Sequence, residues 1–134
     1  MNTRKGFTLI EMMVVIGVIG ILAALVLTAI GPSRNKARDA RIISTVNQAR
    51  AVAEGLYNPT TGQYDSVANS NAVFTPSVTE VANLGGVLTV EQQGGTTGYR
   101  VWATLNLGGY YCADNTQASF QGAGTPPASA NTCQ

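Results

Sequence analysis

At 134 residues and 13.9 kDa the chain holds one ordinary domain at most, and eight Lys and Arg against seven Asp and Glu give a net charge of +1. That balance excludes a polybasic nucleic-acid binder as the default reading and excludes an acidic disordered tail. The absence of His removes His-based triads and His metal sites, and charged residues, at 11%, fall below the roughly one quarter usual for a soluble domain.

The first element is a short basic stretch, Met1 to Gly6, reading Met-Asn-Thr-Arg-Lys-Gly. Phe7 to Ile30 follows with a single charge, Glu11. As a helix this run is about 36 Å long, enough to cross a hydrocarbon core of about 30 Å. A secretory signal has a shorter apolar region and a small-residue cleavage site at its far end. Ala23, Ala24 and Ala29 mimic such a site, but the run is too long and Glu11 is misplaced within it. A carboxylate in a spanning helix costs roughly 2.5–3.5 kcal/mol at the bilayer centre and less near an interface. Glu11 lies about 6 Å inside the edge of the run. Either it snorkels to the headgroups, or it waits for a cation, and the nearest candidate is an amine on a neighbouring copy of the chain.

Lys5-Gly6-Phe7-Thr8-Leu9-Ile10-Glu11 followed by an apolar run resembles the class III signal of type IV pilins and their pseudopilin relatives. The resemblance is strong over about residues 4–30, weaker to about Tyr57, and general beyond. It implies that a prepilin peptidase cuts between Gly6 and Phe7 and methylates the new amine of Phe7. It also implies that the apolar helix stays in the mature protein. The physics is consistent with that scheme. A free α-amine, with a pKa near 8, is largely cationic at neutral pH, whereas the uncut Phe7 nitrogen is an uncharged amide. Pairing Phe7 of one subunit with Glu11 of another would remove an uncompensated buried charge and set helix register. Losing Arg4 and Lys5 would shift the side-chain balance from +1 to −1.

Gly17 and Gly20 lie inside the apolar run, and Gly31-Pro32 is expected to interrupt it. Arg34, Lys36, Arg38 and Arg41, opposed only by Asp39, form a basic cluster just beyond. Counted alone, that cluster would place this side in the cytoplasm, against the topology the signal implies. Its expected roles are a solvated or headgroup-contacting face, salt bridges between subunits to Glu54 or Asp39, or weak contact with DNA. Ile42, Val46, Ala49, Ala53 and Leu56 recur at four, three, four and three residues, which predicts one buried helix face ending near Gly55 and Asn58-Pro59. Together the stem is predicted to run about 45 to 50 residues, too long for an ordinary globular helix. Asn58 to Leu84 reads as a surface loop with a short helix at 78–84. Three strands follow, at 87–92, 99–105 and 110–113, with turns at 94–98 and 106–109. Such a meander must cover the amphipathic helix to bury a face. The tail from Asp114 to Gln134 is polar and rich in Gly and Pro.

The expected architecture is therefore α+β: a leader at 1–6, a transmembrane or filament-core helix at 7–30, an amphipathic helix at 31–57, a surface loop at 58–85, and a three-stranded antiparallel sheet with its tail at 86–134. Cys112 and Cys133 are either two free thiols or a bridge holding the tail to the last strand. A bridge is common in the family resembled and implies an oxidising compartment. It would stabilise by about 3 kcal/mol on the chain-entropy model. No nucleophile has a base beside it in sequence, so no catalytic residue and no cofactor is assigned. Asp114 with loop carbonyls is considered for calcium and left unassigned.

The reading that follows is a structural subunit with assembly residues Phe7 and Glu11, first in the cytoplasmic membrane and then in an extracellular filament. Its partners would be copies of itself, the prepilin peptidase, the pilus assembly machinery and the membrane before assembly. Nucleic acid has weaker support. The alternatives are a type II secretion pseudopilin, a DNA-binding competence pilin, or a membrane-anchored extracytoplasmic binding domain.

Overall fold

The structure is a computed structural model that describes residues 6–93, 97–125 and 133. Residues 1–5 of the expected leader, residues 94–96 of the expected turn and residues 126–132 and 134 of the final tail lie outside these. The chain divides into two compact units, with the boundary between Arg34 and Asn35.

Helix α1, Leu9–Glu54, is 46 residues long and runs through both units. It meets the length predicted for the stem, but the expected interruption at Gly31-Pro32 is absent, and Pro32 lies inside the helix. A helix-interior proline costs about 3 kcal/mol through a lost hydrogen bond and a ring clash. Good helix formers on both sides, Leu25, Ala29 and Ile30 before it and Ala37, Arg38 and Ala40 after it, favour continuing the helix through that cost.

In the first unit every residue of α1 up to Arg34 is exposed. Leu9, Ile10, Ile16, Ile21, Leu25 and Leu27 are each more than 60% exposed, so none of the described residues covers this surface.

The second unit is the head. Ile42, Val46, Ala49 and Ala53 of α1 are fully buried, as their spacing predicts, and Leu56 packs partly buried against them. A four-stranded antiparallel meander covers this face, in the order β3 (Leu88–Gln93), β4 (Gly98–Thr104), β5 (Tyr110–Asp114) and β6 (Ser119–Gly122). The register sets Val90 opposite Val101 and Val101 opposite Ala113, so alternate residues of β3, β4 and β5 join the helix in one core. The first three strands stand within a residue of expectation. The fourth corrects the three-strand prediction. Phe120 pairs with Cys112 across β5 and β6, and Ser119 pairs with Ala113. With Ser119, Phe120 and Gln121 exposed, this edge strand lacks the alternating apolar signal that marks the others.

The segment read as a long loop also carries more structure than expected. Strands β1 (Tyr57–Asn58) and β2 (Gln63–Tyr64) form a hairpin, and a short 3₁₀ turn at Ala72–Phe74 leads into helix α2, Thr75–Asn83. Phe74, Val67 and Val81 from this segment are fully buried in the same core. Gly85 and Gly86 join α2 to β3. Gly85 has φ +91°, and a Cβ on Gly86 would lie 2.7 Å from the Thr104 carbonyl oxygen, so this junction needs residues without side chains.

Candidate assembly site and disulfide-closed head

Thr8 precedes the first residue of α1 and Glu11 is the third residue within it, which is the spacing of a capping box. The Thr8 N–H and hydroxyl both donate to Oε2 of Glu11 at 2.8 Å, and the Glu11 N–H donates back to the Thr8 hydroxyl oxygen at 3.3 Å. These bonds satisfy donors that a helix start otherwise leaves open, and they fix the carboxylate against the first turn. The second oxygen, Oε1, has no hydrogen-bond partner among the described residues. Phe7 is 75% exposed, and Gly6, also exposed, has open space where a side chain would be. Glu11 is therefore held in place by its own chain and still has one acceptor free. The sequence carries a signal for this cap, Thr-x-x-Glu ahead of an apolar run, which the oddity of a lone charge in that run overshadows.

In the head, the acids expected to meet the basic cluster are engaged elsewhere. Asp39 is buried on the helix face under the turn between β4 and β5. Its Oδ1 accepts from the Asn106 N–H at 2.7 Å and from the Asn106 side-chain amide at 2.8 Å, and its Oδ2 accepts from the Leu107 N–H at 3.0 Å. Glu54 accepts the hydroxyl of Tyr99 at 2.6 Å and that of Tyr64 at 3.1 Å. Arg41 pairs with Glu80 of α2 at 2.7 Å. Tyr99 is fully buried, and that burial, helped by the Glu54 carboxylate, raises its hydroxyl pKa far above the ordinary range. Tyr64, edge-on to Tyr99 at 4.9 Å, is raised for the same two reasons in the same order.

Cys112 and Cys133 are bonded, with Cα atoms 5.5 Å apart, and both are buried beside Tyr110 and Trp102 on the outer face of the sheet. Asp114 reinforces the closure. Its Oδ2 accepts the Cys133 N–H at 2.9 Å, while Oδ1 accepts the Thr116 N–H and hydroxyl at 2.9 and 2.7 Å. Both Asp114 oxygens are thus committed to folding. On the same outer face Arg100, almost fully buried, pairs with its cross-strand neighbour Glu91 at 2.7 Å. Sequence reading missed Asp39, Arg100 and the two tyrosines, because most of their partners are tens of residues away and only the tertiary register brings them together.

Comparison with known proteins sharpens this picture. Residues 1–27 match the family model described as the prokaryotic N-terminal methylation motif, a match that includes Gly6, Phe7 and Glu11. Fimbrial protein Q of Moraxella bovis is 34% identical over 110 residues, covering 81% of this chain and 62% of that protein. The type IV major alpha-pilin of Moraxella bovis is 37% identical over 83 residues, covering 59% of this chain and 52% of that one. The type IV major pilin protein PilE of Neisseria gonorrhoeae is 39% identical over 95 residues, covering 66% and 57% respectively.

This chain is type IV pilin-like.

It spans between 52% and 62% of the length of these three relatives. No solved structure was found to match it. The methylation motif falls on the start of the apolar helix, and that long helix with its antiparallel head is a pilin-like arrangement.

Proposed function

We propose that this chain is a structural subunit of a type IV pilus, cut between Gly6 and Phe7, methylated on the Phe7 amine, and polymerised through residues 7–30. The observation that carries the reading is Glu11: a carboxylate within an otherwise uncharged run, held by Thr8 through one oxygen, its other oxygen without a partner among the described residues. Cleavage creates a donor for it, since it turns the Phe7 amide into a cationic amine. The fully exposed apolar helix supports the same reading, because it is soluble in a bilayer and packs equally well among copies of itself.

Lipid tails and neighbouring helices are similarly apolar, so the transfer from membrane to filament gains little from hydrophobicity. Close packing and the charge pair must decide it. A Cβ added to Gly17, Gly20 or Gly31 would meet nothing within 4 Å, so no contact among the described residues accounts for their lack of a side chain. They leave room for another helix backbone to approach. The prepilin peptidase and an assembly machine are the partners this route requires, with the cytoplasmic membrane as the precursor's location and the cell exterior as the filament's. The disulfide fits a head that faces an oxidising compartment.

The test is intact mass of the subunit from isolated surface fibres. The expected mass lacks Met1–Gly6, gains one methyl group and lacks two hydrogens for the bridge. Fibres without this chain, or a chain that keeps its leader within them, would refute the reading.

A further inference from the structure

We propose that the end of the head at which its helix begins is a membrane-docking surface, where Leu107, Val87, Lys36 and Arg38 meet the phosphate headgroups of anionic phospholipid before assembly. The proposal rests on the reading of residues 7–30 as membrane-spanning, and the experiment below separates the two.

Asp39 draws the turn between β4 and β5 onto α1 through three hydrogen bonds. That leaves the Leu107 side chain 55% exposed at the tip, although Leu105 two residues earlier is buried. Val87 lies at the same end of the sheet. Its N–H donates to the Thr104 hydroxyl oxygen at 2.9 Å and its carbonyl accepts the Thr104 N–H at 3.1 Å, yet its side chain is 62% exposed. Two aliphatic side chains are thus held out at one end by rigid backbone.

Cations flank them. Lys36 stands one helical turn before Asp39 on the same face, and Arg38 is its neighbour. Both are exposed, and neither is ion-paired among the described residues. The acid that would neutralise them, Asp39, has both oxygens occupied by the turn, and Glu80 is taken by Arg41. Exposed aliphatics beside unneutralised cations are the composition of an interfacial contact, with apolar groups at the acyl boundary and cations on phosphate. The sequence agrees, since Lys36 follows Ile30, the end of the apolar run, by only six residues. A nucleic acid would meet the same cations but gives no reason for Leu107 and Val87 to be held outward.

The full chain is reconstituted in phosphatidylglycerol-containing vesicles that carry nitroxide on a headgroup, and fluorescence of Leu107→Trp is read against the parent chain with Trp102 alone. The added tryptophan is expected to be quenched. The docked-to-free ratio is expected to fall about fivefold for each of Lys36→Gln and Arg38→Gln, and similarly when phosphatidylcholine replaces the anionic lipid. Val87→Trp repeats the reading should Leu107→Trp fail to fold. Leu22→Trp with nitroxide deep in the acyl chains reports the span itself. Quenching at 22 but not at 107 or 87 overturns the docking surface and leaves the span standing, and quenching at none overturns both. Quenching indifferent to lipid charge and to both Gln variants overturns the headgroup assignment. Quenching lost on diluting protein in lipid gives the surface to a second copy instead, which also overturns it.

Discussion

Glu11 and Asp39 are two carboxylates on one helix, and they are treated in opposite ways. Asp39 belongs to the half of α1 that is covered by its own chain. Both its oxygens are occupied, all three donors come from one turn, and the result is a head whose helix and sheet are locked together. Glu11 belongs to the half that none of the described residues covers. One of its oxygens closes a cap with Thr8, and the other has no partner among the described residues. The contrast separates what folding completes from what it leaves to association. Residues 35–54 carry the helix face that is buried in the head, whereas residues 9–34 are left exposed, a surface that the proposed function gives to lipid first and then to other helices.

The strongest way to break this contrast is at Glu11. Glu11→Ala is expected to abolish fibres while the protein still accumulates in the membrane and its head melts normally. Counting surface filaments and following the head by near-UV circular dichroism read the two effects separately. Glu11→Gln sharpens the test, because Gln serves the capping box as Glu does but carries no charge. If the cap alone mattered, Gln would restore filaments. The charge pair requires that it fail as Ala does, and normal filaments from Glu11→Gln would end that account.

Asp39→Ala is the mirror experiment. It leaves the backbone N–H groups of Asn106 and Leu107 in a partly buried turn without an acceptor, at about 1–3 kcal/mol each. We expect a loss of about 3 kcal/mol by denaturant unfolding, and a fall in Tm of roughly 10 °C or more for a unit of this size. Membrane insertion should not change. A variant with unaltered stability would show that the turn is held by the sheet rather than by the helix.

How much of this was legible in the sequence follows the same division. Local and periodic signals were plain: the apolar run with its lone acid, the four-three stripe from Ile42 to Leu56, and the alternation in Tyr99–Leu105. The signals that failed were non-local or weak. Pro32 suggested a break, but a single proline did not outweigh the helix formers on either side of it. Ser119–Gly122 has one aromatic residue and no alternation, so its pairing with β5 depends on that strand's free edge rather than on its own composition. Asp39 sat among Arg38, Ala40 and Arg41 and read as one more surface charge, because its partners are 67 and 68 residues away in the chain. In the candidate site, motif spacing singles out Gly6, Phe7 and Glu11. The cap to Thr8 was legible too, from Thr-x-x-Glu, once the acid is considered as a local as well as an intermolecular partner.

The smallest effect lies at the far end of the covered half, where Glu54 takes the hydroxyls of Tyr99 and Tyr64. Tyr99→Phe removes a donor that is buried with its acceptor near the surface, so the expected cost at neutral pH is only about 1 kcal/mol. Its pH dependence is more telling. Burial and the Glu54 carboxylate raise the folded-state pKa of Tyr99, whereas an unfolded tyrosine ionises near 10. Above that pH the unfolded chain sheds a proton that the folded chain keeps, so stability from this group is complete below about pH 10 and declines as the medium becomes more alkaline. Unfolding curves taken on either side of that pH should show the decline in the parent protein and a shallower one in Tyr99→Phe, with the remainder reporting Tyr64, whose shift has the same sign and the same cause. Equal slopes in the two proteins would mean that Tyr99 is open to water in solution, and that the helix-to-sheet lock at this end is looser than the one Asp39 makes at the other.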